Sequence, residues 1–342
     1  MEEKARCISA ATLLHESMRR KLQEYLRPMA NDDDRVWQQM TFENFVRLID
    51  NKRLYYKAYG EYSDYDEIKL REFVKAHLKE AHLGEDFKGE IEETLRDMYD
   101  KFERKIFISC WYNSPDLSDV VFKIYARGNS GIAVGTRVSA LRAQMYNAQE
   151  RYNNGHADNK IRNIICANVQ YLPQRYIQEE ELFEPAQVYA PVFMKGLQFK
   201  MDNEFRVCLE KEKSEEYRYN SAQNLENARG MLSKYAEEIK DLDRTDLVKH
   251  IDRIEKDYEE YDRKLRKNCD PTRTFLPVSL PGLIESIAIK DDSWFHVLGE
   301  EKIISLFDKW FKIKMHLSNK YRNSGFLVFD VETIGGEKVC LK

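Results

Sequence analysis

The periodicity of the apolar residues changes abruptly near residue 214 and changes back at Pro271, and few architectures tolerate that. Leu225, Ala228, Leu232, Tyr235, Ile239 and Leu242 recur at alternating spacings of three and four. Leu247, Ile251, Ile254, Tyr258, Tyr261 and Leu265 do the same. Side chains at that spacing line one stripe of a helix, so each run is an a/d seam. Asp243, Arg244, Thr245 and Asp246 between the runs supply turn and cap chemistry. Residues 214–269 are therefore expected to form an antiparallel coiled-coil hairpin, with arms of roughly 30 Å at 1.5 Å per residue. The hairpin interrupts a core of a different kind.

That core is written in short runs rich in β-branched and aromatic residues. Ile106 to Tyr112, Gly131 to Gly135, Ile164 to Tyr171, Val192 to Phe199 and Phe205 to Leu209 read as strands before the hairpin. Leu276 to Leu280, Ile284 to Ile289 and Phe326 to Val331 read as strands or strand edges after it. Helices are expected over Thr41 to Ile49, where Thr41 and Asn44 offer capping oxygens, and over Ser118 to Ala126, Val138 to Gln149 and Glu300 to Phe311. Leu54 to Tyr56 is a short aromatic strand. Strands and irregular helices mixed in this way indicate an α+β fold, a small mixed sheet with surrounding helices, rather than a doubly wound repeat. Three parts follow: a helical segment over 1–40, an α+β core over 41–213 and 270–335, and the hairpin insertion over 214–269. Leu13, Leu14, Met18, Leu22, Tyr25 and Leu26 carry the helical pattern in the first of these.

Composition excludes several classes of protein. Of the 342 residues 33% are charged and 42% hydrophobic, a balance that can build a core. A net charge of −4 projects no global basic field toward nucleic acid or anionic membranes, although a local basic cleft stays open. No stretch approaches the roughly 18 uninterrupted apolar residues of a spanning helix, so no membrane partner is expected. The charged start MEEKARCISA lacks an apolar signal core. Cys7, Cys110, Cys166, Cys208, Cys269 and Cys340 are scattered singly, which fits reduced thiols and a cytoplasmic location. The seven histidines show no HxH or HExxH spacing, and no metal site is expected. Phosphate-loop, dinucleotide and nucleophile-elbow motifs are missing, as is the carboxylate cluster of two-metal nucleases.

The candidate site comes from polar residues lodged in strand-like runs. Burying a carboxylate or guanidinium alone costs several kcal/mol, so such groups must be paired or must line a cleft. Ser109 and Trp111 share one face of their strand and Cys110 takes the other. Glu204 and Arg206 also share a face, with Phe205 opposite. Two readings of that pair stand side by side. Glu204 orients a ligand hydroxyl while Arg206 fixes an anion, or the two residues form a structural ion pair. Tyr125 and Arg127 lie at a helix end before the Gly128 to Gly131 loop, a place for the mouth of the same cleft, and Tyr55 and Tyr56 add aromatic surface. The catalytic candidates are Glu204, Ser109 and Tyr125; the ligand-binding candidates are Tyr55, Trp111, Arg127 and Arg206.

At these segments the chain resembles the mostly bacterial domain of unknown function 2971 family. The likeness runs through Asn51 to Tyr55, Ile108 to Trp111, Ser118 to Tyr125, Gly131 to Thr136 and Val169 to Tyr171, then Lys195 with Asn203 to Arg206. It closes over Val278 to Ile289 and Glu300 to Lys312. The family's Met-Trp is Val121-Phe122 here, and the first acid of its Glu-x-Glu falls on Asp202 or Asn203. The resemblance implies a setting in bacterial defence or mobile loci. One function it leaves open is a toxin-like effector acting on a nucleotide-containing ligand. Its site would be ADP-ribosyltransferase-like, with NAD as cofactor, and would use Leu54 to Tyr56, Ser109 with Trp111, and Glu204 in that order. The rival is a non-catalytic sensor or protein-interaction module, and a nuclease is the third reading. Partners implied are a second copy or another protein through the 214–269 hairpin, and a nucleotide ligand.

Overall fold

The computed structural model of the protein describes residues 30–62, 104–127, 131–156, 160–172, 190–212, 273–290, 293, 298–318 and 325–339. The 214–269 hairpin and the helical pattern of residues 13–26 lie outside these residues. The chain divides into two compact units, and the boundaries fall inside strands, at Tyr56/Lys57 and Cys110/Trp111. Helices and strands are mixed in an α+β fold.

The larger unit is built on an antiparallel sheet. Its strands include β1 (Arg35–Met40), the start of β2 (Arg53–Ala58), the end of β3 (Ile106–Asn113) and β4 (Ile132–Arg137). They continue with β9 (Arg273–Pro277), β10 (Ser286–Lys290), β11 (Ile313–Leu317), β12 (Phe326–Ile334) and β13 (Glu337–Lys338). The strand order runs β11-β12-β10-β4-β1-β3, with β13 also on β12 and β9 beside β2. This corrects the expectation of a small mixed sheet. The sheet is large, and every pairing along that path is antiparallel. β1 is the reason for much of the difference. Arg35-Val-Trp-Gln-Gln-Met40 has no long apolar run, yet β1 pairs along its whole length with β4, from Arg35 opposite Arg137 to Met40 opposite Ile132.

Helices cover the sheet where its side chains are apolar. Helix α1 (Phe42–Asn51) starts at Thr41, whose hydroxyl accepts from the Asn44 amide at 3.3 Å, and stops at Lys52 in the left-handed region. Its Phe42 and Phe45 meet Phe307 and Phe311 of α5 (Glu300–Phe311), with Phe45 and Phe311 packed edge to face at 5.3 Å. Helix α2 (Asp119–Tyr125), capped by Ser118, turns Phe122 onto Trp37, Ala133, Ala288 and Val328. Helix α3 (Val138–Gly155) follows β4 directly, and Tyr56 donates its hydroxyl to Met145 on it. The turn α4 (Leu280–Leu283) begins where the expected Leu276 to Leu280 strand is cut short at Pro277.

The smaller unit holds the start of β3 and the end of β2, together with β5 (Ile161–Asn168) from Arg162 onward and β8 (Glu204–Lys211). β8 pairs with both β3 and β5. Tyr59, Ile106, Ile108, Ala167, Val192, Phe193 and Cys208 make its core. A separate parallel pair joins β6 (Gln170–Leu172) to β7 (Met194–Gly196). The expected Val192 to Phe199 strand shrinks to β7, with single 3₁₀ turns at Ala190–Phe193 and Leu197–Asp202 on either side.

Gly135 lets Trp37 lie across the larger sheet. The two residues are directly paired, and a Cβ on Gly135 would come within 2.5 Å of the indole ring. The ring is fully buried, donates to the Ser114 carbonyl at 3.1 Å and carries the Arg35 guanidinium 4.9 Å from its centroid. Rigid neighbours do not yield to an added side chain, so Gly135→Val should destabilise the protein by about 1–3 kcal/mol. Urea denaturation followed by tryptophan fluorescence checks this, the expected result being a lower midpoint at unchanged slope.

Candidate functional site: a buried ion cluster on β8

Every residue of β8 is buried, including Glu204, Arg206, Glu210 and Lys211. Strand alternation puts Glu204, Arg206, Cys208 and Glu210 on one side, the side of the smaller unit's core. Asn203, at φ 38°, closes the 3₁₀ turn before β8 in the left-handed region that asparagine accepts. The strand then begins with a carboxylate that has no solvent to lean on.

Glu204 is satisfied from all sides. One carboxylate oxygen accepts from Lys195 Nζ at 2.7 Å and the other from Arg206 Nε at 2.8 Å. Lys195 Nζ also donates to Asp202 at 3.0 Å, and Arg206 Nη1 donates to the Val192 carbonyl at 2.6 Å. The Glu204 amide donates to the Tyr171 hydroxyl at 2.7 Å, and its carbonyl accepts from the Val169 amide at 2.8 Å. Relative exposures of 2% for Lys195, 5% for Glu204 and 1% for Arg206 make this an interior network. Two carboxylates face two cations, so the cluster carries no net charge. Burial works to raise the Glu204 pKa, but Arg206 and Lys195 outweigh it and hold the group down at about 2. Burial pushes the Tyr171 phenol well above its ordinary value.

The cluster also fastens a segment of chain. Val192, Lys195 and Asp202 all belong to the stretch between the 3₁₀ turn at Ala190 and the start of β8. Arg206 holds its beginning, Lys195 its middle and Asp202 its end. Phe199 packs its ring 4.8 Å from Lys195 Nζ. Tyr62 lies beyond, with its ring centroid 5.9 Å from the Arg206 guanidinium and its hydroxyl 3.6 Å from Cys110 Sγ.

The sequence candidates are distributed between the two units. Glu204, Arg206 and Ser109 belong to the smaller unit; Tyr55, Trp111, Tyr125 and Arg127 belong to the larger. Ile106, Ile108 and Cys110 point to the core cluster that also holds Cys208, so the alternate residue Ser109, itself buried, takes the opposite face of β3. The β3 side chain that accompanies Arg206 is therefore Cys110. Trp111 is buried, and its indole nitrogen has no partner among the described residues. Tyr125 ends α2 with 40% exposure, and Arg127 follows at φ 54°. Burial, with Glu210 and Cys166 nearby, pushes the Cys208 thiol up and leaves it unreactive. Among the described residues no group of three or more His, Cys, Asp or Glu side chains can hold a metal ion.

Lys195, Asp202 and Tyr171 complete the cluster without having been singled out as site residues. The signal for Lys195 was the one that exposed Glu204, a charged residue between the apolar Val192 to Met194 and Leu197. Asp202 reaches the cluster through its carboxylate, 3.0 Å from Lys195 Nζ. No protein-family model matches the chain, and comparisons with curated proteins and with solved structures return no match.

Glu204 makes the acid stability of the fold predictable in sign. Its folded-state pKa lies below the ordinary glutamate value of 4.5, so its contribution is complete above pH 4.5 and is lost as the pH falls toward 2. A shift of this size corresponds to about 3 kcal/mol. Denaturant unfolding at stepped pH should show wild-type stability falling through that window. A Glu204→Gln variant should be less stable at neutral pH and should show a correspondingly weaker fall.

Proposed function

We propose that the chain is a non-catalytic binding module, a sensor or protein-interaction protein, in which the Lys195–Asp202–Glu204–Arg206 cluster is structural. The observation that carries this reading is the occupation of both Glu204 oxygens by buried cations of the same unit. A glutamate that polarises a ribose hydroxyl needs an oxygen turned toward ligand, and a general base needs a pKa near the working pH. Glu204 at about 2 offers neither. Breaking a buried pair leaves an uncompensated charge and costs about 3–5 kcal/mol, so the cluster repays its desolvation only as a complete set.

In this reading the protein partner engages residues 214–269, whose a/d seams and charged flanks suit a helical partner or a second copy. The ADP-ribosyltransferase-like alternative has its test in the same residue. We expect Glu204→Gln to lower the melting temperature, and NAD to leave the wild-type melting temperature where it was. NAD consumption by the wild type, abolished in a Glu204→Gln variant of unchanged melting temperature, would replace this proposal with the transferase.

A further inference from the structure

We infer that Lys195 and Asp202 become covalently joined, the lysine nitrogen condensing with the aspartate carboxyl group to form an amide cross-link inside the smaller unit. The inference rests on the structural reading of the ion cluster and takes it one step further. A lysine–aspartate ion pair is also an amine and a carboxyl group in contact. Whether they react depends on how closely they are held and whether water competes. Lys195 Nζ lies 3.0 Å from Asp202 Oδ2, and both side chains are buried. Glu204 Oε1 fixes the same nitrogen from a second direction at 2.7 Å, and the Phe199 ring covers it at 4.8 Å. Groups held together in this way react as if at an effective concentration on the order of 10⁵ M or more.

The step needs nothing from outside the protein. One proton passes from the Lys195 ammonium to Oδ2 along the 3.0 Å hydrogen bond. The products are a neutral amine and a neutral acid, which an interior penalises less than it does ions. The Nζ lone pair then attacks Cγ of Asp202. The bond from Cγ to Oδ2 breaks, and that oxygen takes a second proton from the same nitrogen and leaves as water. An ammonium and a carboxylate become an amide and one water, with no change of oxidation state. Asp202 is the acyl partner because Glu204 is committed to Arg206, whose Nε holds its other oxygen at 2.8 Å. A carboxylate held as an anion repels a nucleophile. Glu204 acts as a positioning residue, and in the product its Oε1 accepts the N–H that the amide keeps. Charge matching survives the step. One buried ion pair disappears with its desolvation cost, and Glu204 and Arg206 remain paired one to one. The linkage joins positions seven residues apart and makes permanent the path of the stretch before β8.

The test is the intact mass of the purified full chain, followed by tryptic peptide mapping. The wild type should weigh one water less than its sequence, and Asp202→Ala should show its full sequence mass. Trypsin should fail to cut after Lys195, and the peptide ending at Lys200 should be recovered joined to residues 201–206. A wild type of full mass overturns the inference. So does a water loss confined to the 201–206 peptide with normal cleavage after Lys195, the mark of Asp202 cyclising onto the Asn203 amide. A linkage to Glu204 overturns it as well. If Asp202→Ala fails to fold, Lys195→Arg serves in its place, since it keeps the charge without an amine nucleophile, and it too should show full mass. These outcomes stand apart from the NAD experiment. NAD consumption would remove the binding-module reading and leave the mass as measured. Full mass beside a destabilised Glu204→Gln would remove the cross-link alone.

Discussion

A carboxylate that cannot reach water organises the smaller unit. Glu204 starts β8 in the interior, and its ionised state survives there because Arg206, two residues on in the same strand, and Lys195, from the irregular stretch before it, both pair with it. Each cation in turn has a second acceptor, Asp202 or the Val192 carbonyl, so no member can leave without stranding another. The stretch from Ala190 to Asp202 has little regular structure of its own, three residues of strand between two 3₁₀ turns. What sets its path is this exchange of charges, together with burial of Val192, Phe193 and Met194. The same closure that stabilises the segment occupies both Glu204 oxygens.

The larger unit rests on a different constraint, the direct pairing of a tryptophan with a glycine. A sheet this wide buries both faces only if helices approach closely, and α2 approaches over Trp37. Gly135 lowers the surface at that point so that the ring lies flat, and Phe122, Ala126 and Phe326 close around it. Polar residues tie the neighbouring strand ends. Arg137 reaches both oxygens of Glu285 at 3.1 and 3.2 Å, and Ser286 accepts from Arg35 while donating to Asp330 at 3.1 Å. These are cross-strand ties between β1, β4, β10 and β12, and they fix register where the apolar pattern is weak.

Legibility in the sequence followed the strength of local signals. Helix α5 was readable to the residue because Ile303, Leu306, Phe307 and Phe311 share one stripe and Lys312 stops it in the left-handed region. β3, β4, β8 and β12 were readable because their runs are apolar or aromatic. β1 was not, since Gln38, Gln39 and Arg35 dilute its pattern and its strand character comes from two neighbours. β11 was missed for the same reason, with Lys314 and His316 alternating on a short edge strand. Misjudging both made the sheet look small. At the site, the sequence exposed that Glu204 and Arg206 share a face but not what lies opposite. Lys195 is nine residues away along an irregular path, and no periodicity links the two. The alternation of Ser109 and Cys110 was legible; which of the two accompanies Arg206 depends on strand pairing, which is a tertiary fact.

Charge burial decides what polar residues in a strand-like run can do. Around Glu204 two carboxylates face two cations and all are shielded, which is the condition under which ionised side chains persist in an interior. A matched set minimises its field, so it has no reach beyond its own atoms. Polar residues in a strand-like run therefore do not by themselves mark a functional site. The distinguishing property is whether their hydrogen bonds and charges close among themselves or remain directed to something outside. By that criterion the Glu204 constellation, the most conspicuous polar feature of the sequence, closes on itself through Lys195, Asp202 and Arg206.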